Sequence, residues 1–282
     1  MTLREWLKYG ENQLLLGPHP EKARLDAEML LLGRLAENRA WLLAHLDESL
    51  SSNEADCYMG QLEERVSGKP IQYIQTSCEF YGFPFRLTSD VLIPRPETEL
   101  LVEQSIRLIR AQDKPRVVDV GTGSGAIAVA LAKHLTDARI TAIDLSPTAL
   151  EVAELNAGQN DVWNRIRFLQ GDLLAPVAGE QFDFIVSNPP YVPTRDRESL
   201  SVEVRDYEPS LAFFAGEDGL DIYRRLIPDA YQAVVPGGFI ALEIGYGQAD
   251  AIRMILDAAG FTQIEFTPDL QGIPRVATAR RR

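Results

Sequence analysis

Apolar and polar positions recur with two different periods along the chain, and the change of period divides it. In residues 51–66, Ala55, Tyr58, Met59, Leu62 and Val66 return at helical spacing, and Ser51 with Glu54 has the spacing of a capping box, so the pattern predicts an amphipathic helix with a marked start. Earlier helices follow from Leu3, Trp6 and Leu7, from Ala23, Ala27 and Leu30 behind Pro20, and from Trp41, Leu42 and Leu43. A small helical bundle is expected over 1–70, ending at Ser67-Gly68-Lys69-Pro70. The texture then turns aromatic and β-branched. Phe83, Phe85 and Leu87 alternate at period two after Gly82, which predicts a β-hairpin linker over 71–95.

Pro96 stands where a helix begins, Glu97 and Glu99 occupy a first turn whose dipole favours anions, and Leu100 to Ile109 supplies an apolar face. Beyond Pro115, short apolar runs alternate with helical stretches. Strands are expected at 116–120, 140–144, 166–170, 182–187 and 239–244, with two short ones at 263–267 and 275–279. Helices are expected near 125–134, 147–156, 219–234 and 248–259. The alternation predicts an α/β fold over 96–282, a doubly wound, mostly parallel seven-stranded sheet with helices on both faces.

Composition narrows the class. The chain has 282 residues, 45% of them hydrophobic, enough for two domains with their own cores. No apolar run reaches the roughly 18–20 residues of a membrane span, and Met1-Thr2-Leu3-Arg4-Glu5-Trp6 has no signal-peptide character, so a cytoplasmic protein with no membrane partner is expected. Cys57 and Cys78 lack metal-ligand spacing, and His19 and His45 stand isolated, so neither a disulfide framework nor a metal site is expected. A net charge of -13 and a pI near 4.8 leave no general basic face for a phosphate backbone. The terminal Arg280-Arg281-Arg282 reads as a solvated tail. A protein or small-molecule partner fits this balance better than a stable nucleic-acid complex.

Two stretches carry chemistry. The first strand of the sheet runs into Gly121-Thr122-Gly123-Ser124-Gly125, with a helix directly after it, and Asp144 closes the second strand. Glycines at such a turn let backbone approach a ligand, and an acid at the next strand end accepts ribose hydroxyls. Gly121, Gly123 and Ala126 also satisfy the dinucleotide fingerprint, so the loop speaks for a nucleoside cofactor without choosing which; a phosphate-binding loop lacks its Gly-Lys-Ser/Thr. Asp172, followed by Leu173 at the end of the third strand, reads equally as a crevice acid or as a turn-capping residue.

The fourth strand ends in Asn188-Pro189-Pro190-Tyr191. Proline donates no ladder hydrogen bond, so the pair stops the sheet and leaves rigid carbonyls without neighbouring N–H groups. A planar amide or aromatic amine is a poor nucleophile because its lone pair is delocalised. Two fixed acceptors, the Asn188 side-chain oxygen and the Pro189 carbonyl, would hold both of its N–H groups and favour rehybridisation as the nitrogen attacks a carbon electrophile. Tyr191 would stack on the planar group.

With these residues the chain resembles the class I S-adenosylmethionine-dependent methyltransferases that carry Asn-Pro-Pro-Tyr, with a Rossmann-like sheet, and among them the protein-glutamine methyltransferases of peptide chain release factors, the PrmC/HemK family. Phe80-Tyr81-Gly82, Val91 through Glu99 (Val-Leu-Ile-Pro-Arg-Pro-Glu-Thr-Glu), Asp119 through Gly125, Ser187 through Tyr191, Tyr207-Glu208-Pro209, Asp218-Gly219-Leu220 and Tyr223-Arg224 carry the resemblance, which covers nearly the whole chain. It implies methyl transfer from S-adenosyl-L-methionine to the glutamine amide nitrogen in the Gly-Gly-Gln motif of class 1 release factors. It further implies that Gly121, Thr122, Gly123, Ser124 and Gly125 hold the methionine part of the cofactor, Asp144 the ribose, and Asp172 with Leu173 the adenine. Asn188 meets both cofactor and substrate amide, Pro189 and Pro190 frame it, and Tyr191 flanks it. The helical domain is expected to help recognise the release factor, and a monomer is expected.

The family usually has Gly where Thr76 stands, which leaves the turn into the hairpin open. In Val91–Glu99 a helix-starting role suffices for the prolines and glutamates, with Arg95 and Glu97 as candidates for a part in the cleft. The alternative substrate is an exocyclic amine of adenine or guanine in nucleic acid, against which the acidity weighs. A nicotinamide-dependent oxidoreductase satisfies the glycine loop but gives Pro189 and Pro190 no role.

Overall fold

The computed structural model describes all 282 residues. In chain order the elements begin with five helices, α1 (Leu3–Leu14), α2 (Ala23–Leu35), α3 (Arg39–Ala44), α4 (Ser52–Val66) and α5 (Ile71–Gln75), then a hairpin, β1 (Ser77–Phe80) and β2 (Phe83–Arg86). There follow α6 (Pro96–Ile109), β3 (Arg116–Val120), α7 (Ala126–His134), β4 (Arg139–Asp144), α8 (Pro147–Gln159), β5 (Ile166–Gln170) and β6 (Phe182–Ser187). The last elements are α9 (Val202–Tyr207), α10 (Asp221–Ala233), β7 (Val234–Glu243), α11 (Ala249–Ala259), β8 (Thr262–Pro268) and β9 (Pro274–Arg280).

The chain forms two compact units, Met1–Ser77 with Leu200–Tyr207, and Cys78–Ser199 with Glu208–Arg282. In the helical unit the expected stripes face inward: Leu3, Trp6, Ala23, Ala27, Leu30, Leu42, Tyr58 and Leu62 are buried in one cluster. Ser51 and Glu54 close the capping box at the start of α4. This unit extends past 70 through α5, and it takes in α9 from far down the chain. The reason is electrostatic. Arg65, buried on α4, pairs with Asp26 at 2.6 Å and with Glu203 of α9 at 2.7 Å, while the Tyr207 hydroxyl donates to the Ser67 carbonyl at 2.9 Å. A buried guanidinium needs several acceptors, and Glu203 of α9 supplies one beside Asp26 and the Lys69 carbonyl. Thr76 ends α5 in the left-handed conformation, φ 56°, so the turn keeps the backbone that a glycine would give it.

The second unit is a seven-stranded sheet ordered β5-β4-β3-β6-β7-β9-β8. The first five strands in that order are parallel, and β9 is antiparallel to both neighbours. Helices α6, α7 and α8 pack on one face, around Leu101, Ile127 and Ala157, and α10 and α11 on the other, around Leu226, Ile227, Ile252 and Leu256. Strands covered on both faces read as continuous apolar runs, which is why β3, β4 and β6 stood out in the sequence. β7 starts earlier than expected, at Val234. The sheet carries Pro236-Gly237-Gly238 as strand, with a register shift between Phe182 and Phe184 of β6. The β1–β2 hairpin is tied to α8: buried Asn156 exchanges two hydrogen bonds with the Arg86 backbone, and Asn160 donates to the Pro84 carbonyl.

Candidate active site

The sheet brings the candidate residues to one edge because β3, β4 and β6 are parallel neighbours whose carboxyl ends coincide. Gly121 follows β3, Asp144 ends β4 and Asn188 follows β6. Open α/β sheets bind ligands in the crevice beyond this edge.

The glycine loop is built for close backbone approach. Gly121, Gly123 and Gly125 have φ of 74°, 55° and 80°, and a Cβ added at Gly121 or Gly123 would point into open space, whereas at Gly125 it would press on Ala153 of α8 at 3.0 Å. The first two glycines thus leave room for a ligand and the third lets loop and helix pack. Asn156 fixes the loop from beneath by donating to the Ser124 carbonyl at 2.8 Å. Asp144 accepts from the Gly123 N–H at 2.8 Å and the Ser146 N–H at 2.9 Å, one on each oxygen, which leaves acceptor capacity for a further donor. Burial raises its pKa above the usual range.

Beneath the loop, Asp119 is fully buried. Thr122 Oγ1 donates to its Oδ2 at 2.7 Å, while its Oδ1 has no partner. Burial pushes its pKa up to about 7, with the nearby Asp144 carboxylate adding to the rise. The partly buried Asp144 carboxylate beside positive-φ glycines suits a ligand that brings hydroxyl donors. These groups are compatible with the S-adenosylmethionine that the sequence resemblance implies. Asp172 differs. It forms an exposed ion pair with Arg225 of α10 and lines, with Leu173 and Arg225, a cavity of about 420 Å³ that the glycine loop and Asp144 do not line.

At the end of β6 the chain's own donors leave the proline carbonyls alone: no backbone N–H reaches those of Pro189 or Pro190. The Tyr191 carbonyl, by contrast, accepts from Gln248 Nε2 at 3.0 Å. Gly219 approaches the same carbonyl so closely that a Cβ there would lie 2.3 Å from it, which explains the glycine of Asp218-Gly219-Leu220. Asn188 and Tyr191, with Leu92, Arg95 and Phe213, line a small cavity of about 30 Å³, enough for a water-sized group.

Sequence reasoning did not reach the groups behind these two residues. Asn188 Nδ2 donates to Thr98 Oγ1 at 3.1 Å, Thr98 Oγ1 donates to Glu243 Oε2 at 2.6 Å, and the Tyr191 hydroxyl donates to Glu243 Oε1 at 3.2 Å. Thr98 and Glu243 are buried, and burial pushes the Glu243 pKa up to about 7 against the pull of its two donors. Burial and the Glu243 carboxylate together raise the Tyr191 phenol, so it remains protonated. The 91–99 run thereby acquires distinct parts. Thr98 joins this chain of hydrogen bonds, Arg95 pairs with buried Glu208 at 2.5 Å, and Glu99 accepts from the Tyr81 N–H at 2.8 Å. The Ile93 N–H donates to the other oxygen of Glu208 at 3.1 Å, so the Tyr207-Glu208-Pro209 motif holds this run in place. A threonine inside a helix-start motif and a lone glutamate at the end of a strand were the available signals.

Comparison with known proteins sets this geometry in context. Residues 5–75 match the model of the PrmC N-terminal domain, and 96–204 that of the methyltransferase small domain. The release factor glutamine methyltransferase of Koribacter versatilis is 42% identical over 282 residues, covering 100% of this chain and 99% of that protein. The protein of the same name from Moorella thermoacetica is 41% identical over 283 residues, again covering 100% and 99%. Among solved structures, a methyltransferase from Pyrococcus furiosus superposes with a TM-score of 0.53 at 16% identity, over 82% of this chain and 99% of that one, a likeness of fold.

Proposed function

The chain belongs to the release factor glutamine methyltransferases, and on that premise we propose that it methylates the side-chain amide nitrogen of the glutamine in the Gly-Gly-Gln motif of class 1 peptide chain release factors, with S-adenosyl-L-methionine as donor. The observation that carries the reading is the pair of unpaired acceptors at the end of β6, the Asn188 side-chain oxygen and the Pro189 carbonyl, beside a small cavity that Asn188 and Tyr191 line.

When bound, the cofactor supplies a methyl group made electrophilic by its sulfonium. The rest falls to the chain. Asn188 Oδ1 and the Pro189 carbonyl accept the two N–H bonds of the substrate amide and fix its nitrogen in place and orientation, and such aimed acceptors act most strongly where charge develops. Tyr191, anchored through Glu243, covers the planar group and limits water. No side chain is required as a base, because nitrogen becomes acidic once alkylated and releases a proton to solvent. The helical unit serves recognition of the protein substrate. The net charge of -13 supports a protein substrate over nucleic acid.

The test is incubation of the full chain with labelled S-adenosylmethionine and, separately, a class 1 release factor, the same factor with its Gly-Gly-Gln glutamine changed to Glu, RNA and DNA, followed by mapping of the modified atom. Label confined to that glutamine amide is expected. Label on nucleic acid alone overturns the reading.

A further inference from the structure

An asparagine amide is nearly symmetrical in shape, and turning it over exchanges an acceptor for a pair of donors. If Asn188 presented its nitrogen to a substrate –NH₂ group, the two would repel and the grip would fail. Shape does not choose between the faces, so a hydrogen-bond partner must. That partner is Thr98, whose hydroxyl carries a single proton. With Glu243 ionised, as it is above its raised pKa, the proton is committed to Oε2 at 2.6 Å, a short charge-assisted bond, so toward Asn188 the hydroxyl is only an acceptor. It therefore selects the amide nitrogen, which donates to it at 3.1 Å, and leaves Oδ1 for the substrate.

Glu243 is well suited to end such a chain. As a carboxylate it has no donor to offer, and both of its oxygens accept, from Thr98 and from Tyr191. Its carbonyl is held by the Tyr223 hydroxyl at 2.6 Å, which fixes the residue at the end of β7. The sheet sets the meeting: Ser187 of β6 is paired with Leu242 of β7, so Asn188 and Glu243 follow directly on partnered residues. Thr98 enters from the first turn of α6, whose position the Arg95–Glu208 pair and the Ile93 N–H bond secure.

We propose that Thr98 and Glu243 are positioning residues that set the orientation of the Asn188 amide, and that the same buried carboxylate aligns Tyr191, so one acid prepares both walls of the amide site. The proposal rests on the glutamine-methylation reading.

The experiment uses the full chain, labelled S-adenosylmethionine and a synthetic peptide that contains Gly-Gly-Gln. Thr98→Val keeps the shape and removes the hydroxyl, and Thr98→Ser restores it. Glu243→Gln replaces the acceptor-only terminus by a group that also donates. For Thr98→Val and Glu243→Gln, kcat should fall roughly 10- to 100-fold, as for a misdirected group next to the reacting atom, with KM for the peptide and cofactor affinity nearly unchanged. Thr98→Ser should recover most of kcat. Equal loss in Thr98→Val and Thr98→Ser, or wild-type kcat in Thr98→Val, overturns the proposal, because packing rather than hydrogen-bond direction would then be at work. If Thr98→Val melts far below wild type, Glu243→Gln against wild type decides by the same split between kcat and KM. A wild-type enzyme that leaves the peptide glutamine and intact release factor unmodified instead overturns the underlying reading.

Discussion

Substitution of Gly219 by alanine is expected to damage catalysis from a position that touches no substrate. Gly219 has φ 76°, and a Cβ there would lie 2.3 Å from the Tyr191 carbonyl oxygen and 2.9 Å from Gln248 Nε2. Ordinary contact begins near 3.4 Å, so the backbones must separate by roughly 1 Å in a close-packed region. The left-handed conformation adds about 1–2 kcal/mol for a residue with a Cβ, and overpacking typically about 1–3 kcal/mol more. Gln248 does not absorb the shift freely, since it bonds Tyr191, Gly219 and Gly245 at once. The displacement therefore passes to Tyr191 and along two stiff prolines to Asn188. A misplacement of about 1 Å at a reacting group costs on the order of 10²-fold in rate. Cofactor affinity should be unchanged, because no hydrogen bond of Gly121–Gly125 or Asp144 runs through Gly219. The assay is single-turnover methylation of a Gly-Gly-Gln peptide, together with calorimetric titration of the cofactor and a thermal melt. A Gly219→Ala protein with the wild-type rate and melting temperature would refute this account of how the 218–220 motif supports the site.

Replacing Asn188 by alanine should lower the methylation rate by about 10²–10³-fold while cofactor binding stays near normal, since one aimed acceptor is lost; single-turnover kinetics decide it. Asp144→Ala should weaken cofactor binding by roughly 1–3 kcal/mol, through loss of hydrogen bonds to a charged group and of the bond that holds Gly123, and calorimetry should register the loss. Burial raises the folded-state pKa of Glu243 from 4.5 to about 7, so between these values the folded protein keeps a proton that the unfolded chain releases. Its contribution to stability is full below the lower value and is lost as pH rises through the upper one, at a slope of about 1.4 kcal/mol per pH unit. The melting temperature of Glu243→Gln should accordingly fall less over this window than that of wild type, and identical profiles would remove Glu243 from the account. Thr76→Gly should stabilise the protein by about 0.5–1 kcal/mol, the relief of left-handed strain less the added freedom of glycine, and a denaturant melt reads the change.

Much of the fold and part of the site were legible along the chain because they rest on neighbours in sequence. The capping box at Ser51 and Glu54, the stripe on α4 and the apolar runs of β3, β4 and β6 are local patterns set by helical or strand periodicity. The glycine loop is equally local, since a strand, three positive-φ glycines and a helix make it without outside help. Asn188-Pro189-Pro190-Tyr191 could be read as a strand end with free carbonyls because proline has no N–H wherever it sits.

What the sequence by itself determined, then, is at which strand ends the candidate residues stand. The tertiary structure alone decided what stands behind them. Thr98 is 90 residues from Asn188 and 145 from Glu243, and only the adjacency of β6 and β7 and the docking of α6 bring the three together. Asp172 is paired with Arg225, Arg95 with Glu208, and Arg65 with an acid from α9, again across long stretches of chain. A side-chain hydrogen bond acts over about 3 Å and leaves no periodic trace in the sequence, so its partners appear only once the strand order has fixed which ends of the chain meet.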